Sequence, residues 1–112
     1  MAKVALLLAQ GFEEVEAVTP ADFLDRAGIE VILAGIGSDI VEGAHHISIR
    51  TDCRVEDLPD GLDAIIIPGG MPGAANVAAS PEALSLVRKM NADGKIVAAI
   101  CAAPAVVLAK AG

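Results

Sequence analysis

An α/β fold built on an open, mainly parallel sheet is predicted by three features of the sequence. Short, nearly uninterrupted apolar runs at 3–9, 29–34, Ala64–Ile67 and 96–100 are each bounded by glycine, proline or charge, as strands covered on both faces are. Segments of helical character separate these runs, which implies right-handed crossovers between parallel neighbours. The composition, 54% apolar and 21% charged, suits a packed core and not a disordered chain.

The first helix is expected over 15–27, where Val15, Val18, Ala21 or Asp22 and Leu24 recur at helical spacing and Gly28 supplies the stop. Pro20 lies inside it, so a kink or a second helical piece is expected there. The stretch 43–54 alternates, with Ile47, Ile49, Thr51 and Cys53 on one side and His46, Ser48, Arg50 and Asp52 on the other. Period two makes it one strand of a small antiparallel excursion. Ser80-Pro81-Glu82 starts a helix, with a hydroxyl cap, a proline at the first position and an acid at the positive dipole end. Gly94 closes that helix. Residues 102–111 form the last one, with Lys110 near its negative end.

With 112 residues, the chain supports a single domain over 1–112, exposing roughly 5,700 Å² of the roughly 16,400 Å² of an extended chain of this mass. It stops where a doubly wound sheet continues to its next strand, so it reads as the N-terminal part of that domain. No apolar run is long enough to span a bilayer and no secretory layout opens the chain, which makes a cytoplasmic location the default. The net charge of −7 and only two aromatics, Phe12 and Phe23, disfavour nucleic acid as a ligand. Cys53 and Cys101 form no C-x-x-C pattern, and His45 and His46 stand in tandem, so no metal-ligand spacing is read. No cofactor is expected, since neither a dinucleotide fingerprint nor a phosphate loop is present.

Cys101 directly follows the apolar strand 96–100 and precedes Ala102-Ala103-Pro104-Ala105. A strand–turn–helix junction of this kind holds a nucleophile in strained geometry among small neighbours, here Ala99 and Ala103. A helix N-terminus also offers positive potential and free N–H groups, which favour thiolate. The plain alternative is an inert buried cysteine at a strand end. Ile65-Ile66-Ile67-Pro68-Gly69-Gly70 ends another strand in a turn that admits close backbone approach. In an open α/β sheet both turns lie beyond the carboxyl ends of the strands, where ligands collect. Gly70 and Ala102 N–H groups are therefore candidates for an oxyanion hole with Gly69 beside them, against the reading that the glycines only satisfy turn dihedrals. Of the acids in Gly11-Phe12-Glu13-Glu14-Val15-Glu16, most read as solvated groups on a first helical turn. Glu16 is placed to point inward over the sheet edge, where desolvation suits it to hold and pass a proton. Cys53 reads as structural or as a secondary oxidation site, and His45 and His46 as surface turn residues.

Three motifs, Gly-Phe-Glu-Glu-Val-Glu, Ile-Ile-Ile-Pro-Gly-Gly and Ala-Ala-Ile-Cys-Ala-Ala-Pro-Ala, stand in this order, with Arg26-Ala27-Gly28-Ile29 and Leu62-Asp63 between them. From 3 to 112 the sequence resembles the ThiJ/PfpI superfamily, on its DJ-one (protein deglycase) branch. The resemblance implies a flavodoxin-like fold, a homodimer, Cys101 as an oxidation-sensitive nucleophile, Glu16 as a protonated partner hydrogen-bonded to it, and Gly70 with Ala102 as oxyanion-binding amides. Family members continue past residue 112 into a segment bearing a histidine near the cysteine, so a complementary C-terminal fragment is an expected partner. Ala102 stands where the peptidase branch has histidine, which disfavours peptidase activity. The implied function is a cysteine-dependent glyoxalase or deglycase acting on 2-oxoaldehydes such as methylglyoxal, or on their adducts. The alternative is a non-enzymatic sensor of oxidative stress or redox chaperone using Cys101. A thiamine-biosynthesis role finds no phosphate site to support it.

Overall fold

The centre of the fold is β1 (Lys3–Leu8), whose Ala5, Leu6, Leu7 and Leu8 are all fully buried. A strand apolar on both sides must be covered on both faces, and here the two faces carry separate cores. The computed structural model describes residues 2–112. After β1 come α1 (Glu14–Arg26), β2 (Glu30–Gly35), β3 (Ile40–Glu42), β4 (Ser48–Arg50), β5 (Cys53–Arg54), β6 (Ala64–Ile67), α2 (Gly73–Ala78), α3 (Pro81–Ala92) and β7 (Ile96–Ala99). A π-helical segment, Pro104–Leu108, then runs into α4 (Ala109–Ala111). The main sheet has the order β5-β2-β1-β6-β7 and every pairing in it is parallel, which is the doubly wound α/β architecture predicted.

On one face, Ala5, Leu7, Ile65 and Ile67 pack with α2, α3 and the last helix through Val77, Leu84, Val87 and Val107. On the other, Leu6 and Leu8 meet Phe12, Ala17 and Val41, with Ala21, Leu33, Ile49 and Ile66 around them. The accessible surface is 5687 Å². Among the described residues no helix is long and apolar enough to cross a membrane.

Several elements differ from expectation. The buried face of α1 is Glu14 and Ala17 with Ala21 beside them, while Val15 is 69% exposed and Val18 is also exposed. Hydrophobicity alone favours the valines. The hydrogen bonds that hold Glu14 (below) instead rotate the helix so that small Ala17 meets the sheet. The helix also runs through Pro20 as one 13-residue element, with no second piece; the carbonyl that loses its intrahelical donor is that of Glu16, on a partly exposed face. Residues 43–54 are not one strand. β4 pairs antiparallel with β3, whereas β5 joins the main sheet parallel to β2. The switch comes at Asp52, whose N–H donates to Leu33 O and whose Oδ2 accepts the Leu33 N–H, each at 2.8 Å.

Among the described residues, β7 is covered by a helix on one face only. Val97 and Ala99 pack against the α3 core, whereas Ile96, Ala98 and Ile100 are exposed. The final helix takes π winding over Pro104–Leu108, with Ala109 N–H reaching back to Pro104 O. Pro104 has no N–H to give Ile100 O, which Ala103 N–H takes at 3.1 Å. The turn that would set the α register is therefore incomplete. α2 was not expected; Pro72 at its N-cap and the alanine-rich run after it are the signals that mark it. α3 starts as expected, with Ser80 Oγ accepting Ala83 N–H at 3.2 Å.

Because Leu7 is fully buried in the larger core, Leu7→Ala is expected to cost about 2–5 kcal/mol of stability. Urea unfolding checks it: a midpoint indistinguishable from wild type contradicts this account of the core.

Candidate functional site

β1, β6 and β7 lie side by side and parallel, so the turns that leave their carboxyl ends come together. The first turn carries Gly11 to Glu16, the second Pro68 to Gly70, and the third Cys101 and Ala102. Gly69 is the contact between them. Its carbonyl accepts the Glu13 N–H at 2.9 Å and its N–H donates to Glu16 Oε1 at 3.0 Å. A Cβ on residue 69 would stand 2.5 Å from Cys101 Cβ and 2.6 Å from Glu16 Oε1. Only a residue without a side chain lets Cys101 Cβ and the Glu16 carboxylate both lie against this backbone.

Cys101 has φ +61°, in the left-handed region that a non-glycine residue rarely adopts. Its side chain is exposed. Junction strain arises here because β7 ends at Ala99 and helix begins by Ala103, leaving three residues to reverse the chain. Glu16 enters from the first turn of α1, partly buried. Among the described residues its only side-chain hydrogen bond is the one from Gly69, not one to Cys101; Oε2 is left without a partner. Gly70 has φ +93°, and its N–H, like that of Ala102, donates to no other described residue. The structure thus brings Cys101, Glu16 and Gly69 together at one end of the sheet, with free N–H groups on the two adjoining turns. Chemically, the set offers an accessible sulfur in strained geometry, a carboxylate within the same small volume and uncommitted donors.

The other singled-out residues lie elsewhere. Cys53 is on the edge strand β5, partly buried. Burial pushes its thiol pKa up, and Asp52 and Asp57 add to that, which makes it a poor nucleophile. His46 is exposed in the turn between β3 and β4 at φ +71°. His45 is exposed too, yet it is tied to Glu14.

Glu14 is the residue that sequence reasoning missed. It is not a solvated acid: it is only 5% exposed. Oε2 accepts the N–H groups of His45 at 2.8 Å and Ile47 at 3.2 Å, and Oε1 lies 3.1 Å from His45 Nδ1. Burial pushes the Glu14 pKa up, but these donors and its own N–H outweigh it and lower the value to about 2. The His45 pKa is raised, first by its hydrogen bond to Glu14 and then by the charges of Glu13 and Glu14. The available signal was positional. Glu14 falls three residues before Ala17 and seven before Ala21, on one helical face.

The sign of the pH effect follows from these shifts. A lowered Glu14 pKa contributes stability that is present above about 4.5 and is lost as pH falls from there towards about 2. A raised His45 pKa contributes stability that is full below 6.5 and is lost as pH rises through its folded value. Urea midpoints at pH 6 and pH 3 should therefore fall more steeply for wild type than for Glu14→Gln. Parallel falls in the two proteins contradict the role given to this carboxylate.

The profile of the DJ-1/PfpI family matches residues 2–112. The chain is 40% identical to Protein dj-1beta of Drosophila melanogaster over 115 aligned positions, covering 100% of this chain and 61% of that protein. It is 34% identical to Deglycase PfpI of Pyrococcus furiosus, covering 95% of this chain and 64% of the relative. Oxidized Toxoplasma gondii DJ-1 superposes with a TM-score of 0.97 at 38% identity, over 100% of this chain and 62% of that one. The chain thus spans about three-fifths of the length of these relatives.

Proposed function

This chain belongs to the DJ-1/PfpI family, and from that premise we propose that it carries the cysteine machinery of a glyoxalase- or deglycase-type enzyme. The observation that carries the reading is the positive φ of an exposed Cys101 beside Glu16 at the Gly69 contact. A relative named as a deglycase supports the reaction class.

In this reading the Cys101 thiolate adds to the aldehyde carbon of a 2-oxoaldehyde such as methylglyoxal. The carbonyl π pair moves onto oxygen, and the hemithioacetal oxyanion is met by the N–H groups of Gly70 and Ala102. Glu16 takes the proton from the former aldehyde carbon and returns it to the neighbouring carbon, turning the adduct into a thioester of the hydroxy acid. Water then hydrolyses the thioester, releasing lactate and freeing the sulfur. The same addition, made to the aldehyde-derived adducts of amines, constitutes deglycation. In this reading Glu16 Oε2, which accepts no hydrogen bond from the described residues, carries the proton. A homodimer belongs to the proposal as well, supported by the exposed apolar face of α1 at Val15, Val18 and Phe23.

Lactate formation from methylglyoxal tests this assignment. Cys101→Ser is expected to abolish turnover, and Glu16→Gln to lower it by roughly a hundredfold or more, the usual contribution of a positioned acid–base group. Unchanged turnover in either variant refutes the roles given.

A second reading is favoured by the exposure of Cys101 and by the oxidized state of the Toxoplasma gondii structure. The thiolate reduces one peroxide to water and becomes sulfenate, and a second peroxide takes the sulfur to sulfinate. Mass spectrometry after mild peroxide separates the readings. A two-oxygen adduct selective for Cys101 over Cys53, with negligible aldehyde turnover, supports sensing; equal modification of both thiols contradicts it.

A further inference from the structure

We propose that Glu13, Glu14 and His45 form a binding site for one divalent transition-metal ion of the zinc and cobalt class. Each carboxylate spends one oxygen on backbone donors and turns the other to the same imidazole. Glu13 Oε1 caps α1 by accepting Val15 N–H at 3.2 Å, and its Oε2 lies 3.6 Å from His45 Nδ1. Glu14 Oε2 is held by the N–H groups of His45 and Ile47, and its Oε1 lies 3.1 Å from the same Nδ1. The three facing atoms lie within 4.8 Å of one another.

The His45–Glu14 spacing of 3.1 Å is the one a shared ion sets between two ligands, and the 3.6 Å from His45 to Glu13 is slightly longer. Nitrogen and oxygen ligands bind such ions at about 2.0–2.2 Å, so two ligands at tetrahedral or octahedral angles lie about 3.0–3.5 Å apart. Rotation of the exposed His45 ring and of the partly buried Glu13 side chain brings the remaining ligand atoms in around the fixed Glu14 oxygen. The backbone bonds on Oε2 of Glu14 act as an outer shell that orients the ligating oxygen. A Cβ at residue 43 would collide with the Glu14 carboxylate, so Gly43 is what allows the buried ligand its place. Two carboxylates balance the ion's two charges. An imidazole in the set favours transition ions over magnesium or calcium, which take oxygen ligands. On binding, Nδ1 gives its proton to solvent and its lone pair to the ion, while Glu14 Oε1 exchanges a hydrogen bond for a metal bond. Because His45 is mostly exposed, the ion enters from solvent and water completes its coordination.

Titration of the whole chain with Co²⁺ alone, followed by calorimetry and visible absorption, tests the proposal. The expected result is one ion per chain, with weak ligand-field bands and without intense thiolate-to-cobalt absorption. His45→Ala keeps the backbone N–H on Glu14 and hence the fold, and should weaken binding by at least the roughly tenfold that even an outer-shell change costs. Glu13→Gln, whose amide oxygen still caps the helix, should weaken it as well. His46→Ala, whose Nδ1 stands 3.9 Å from Glu42 instead, should bind as wild type does. No binding, binding unchanged by His45→Ala, or binding lost in Cys53→Ser or Cys101→Ser overturns the proposal.

Discussion

The close approach at Gly69 is the constraint on which the candidate site depends. One backbone unit donates to Glu16, accepts from Glu13 and leaves room for Cys101 Cβ. Those groups come from the turns after β1, β6 and β7, three strands adjacent in the sheet. Parallel pairing aligns the carboxyl ends of neighbouring strands, so their turns converge without any special device. What the sequence must add is a residue small enough not to hold the turns apart. A methyl group at this position would displace the sulfur, the carboxylate or both, and packed interiors accommodate such intrusions poorly.

Rigidity behind that contact comes from β1. Its apolar residues are buried on both faces, so Gly11 to Glu16 start from a fixed point. The strain in Cys101 has the same support. A left-handed cysteine costs of order 1–3 kcal/mol and persists only where its surroundings over-determine it. Here β7 holds one side through its pairing with β6, and the buried Ala103 and Val107 hold the other.

What was legible in the sequence was the part set by local pattern. β1 and β6 are continuous apolar runs, and α3 announces itself through Ser80, Pro81 and Glu82. Cys101 is marked by its place between a strand and a helix. Less legible were features decided by distant partners. The face of α1 is set by bonds to residues 45 and 47, more than thirty positions away, and no periodicity within 15–27 reports them. The break in 43–54 comes from Asp52 pairing with Leu33, a contact between strands. β7 is as apolar as β1 yet bare on one face among the described residues, and run-length hydrophobicity does not report which helices cover a strand.

Glu14 and Glu16 show how far environment outweighs residue type. Both are glutamates in the first turn of α1, two positions apart, where the helix dipole favours negative charge for each. Glu14 turns towards the β3–β4 turn and meets two N–H groups and an imidazole, which lower its pKa to about 2. Glu16 turns towards the turn after β6 and, among the described residues, meets the single N–H of Gly69, with its second oxygen unengaged. A carboxylate surrounded by donors is held ionised and suits anchoring or ion binding; one with a spare oxygen beside a reactive group suits proton transfer. The anchoring role also serves the other, because Glu13, adjoining Glu14, donates its N–H to Gly69 O. Fixing Glu14 against the turn therefore fixes the start of α1, and with it the position from which Glu16 reaches Gly69.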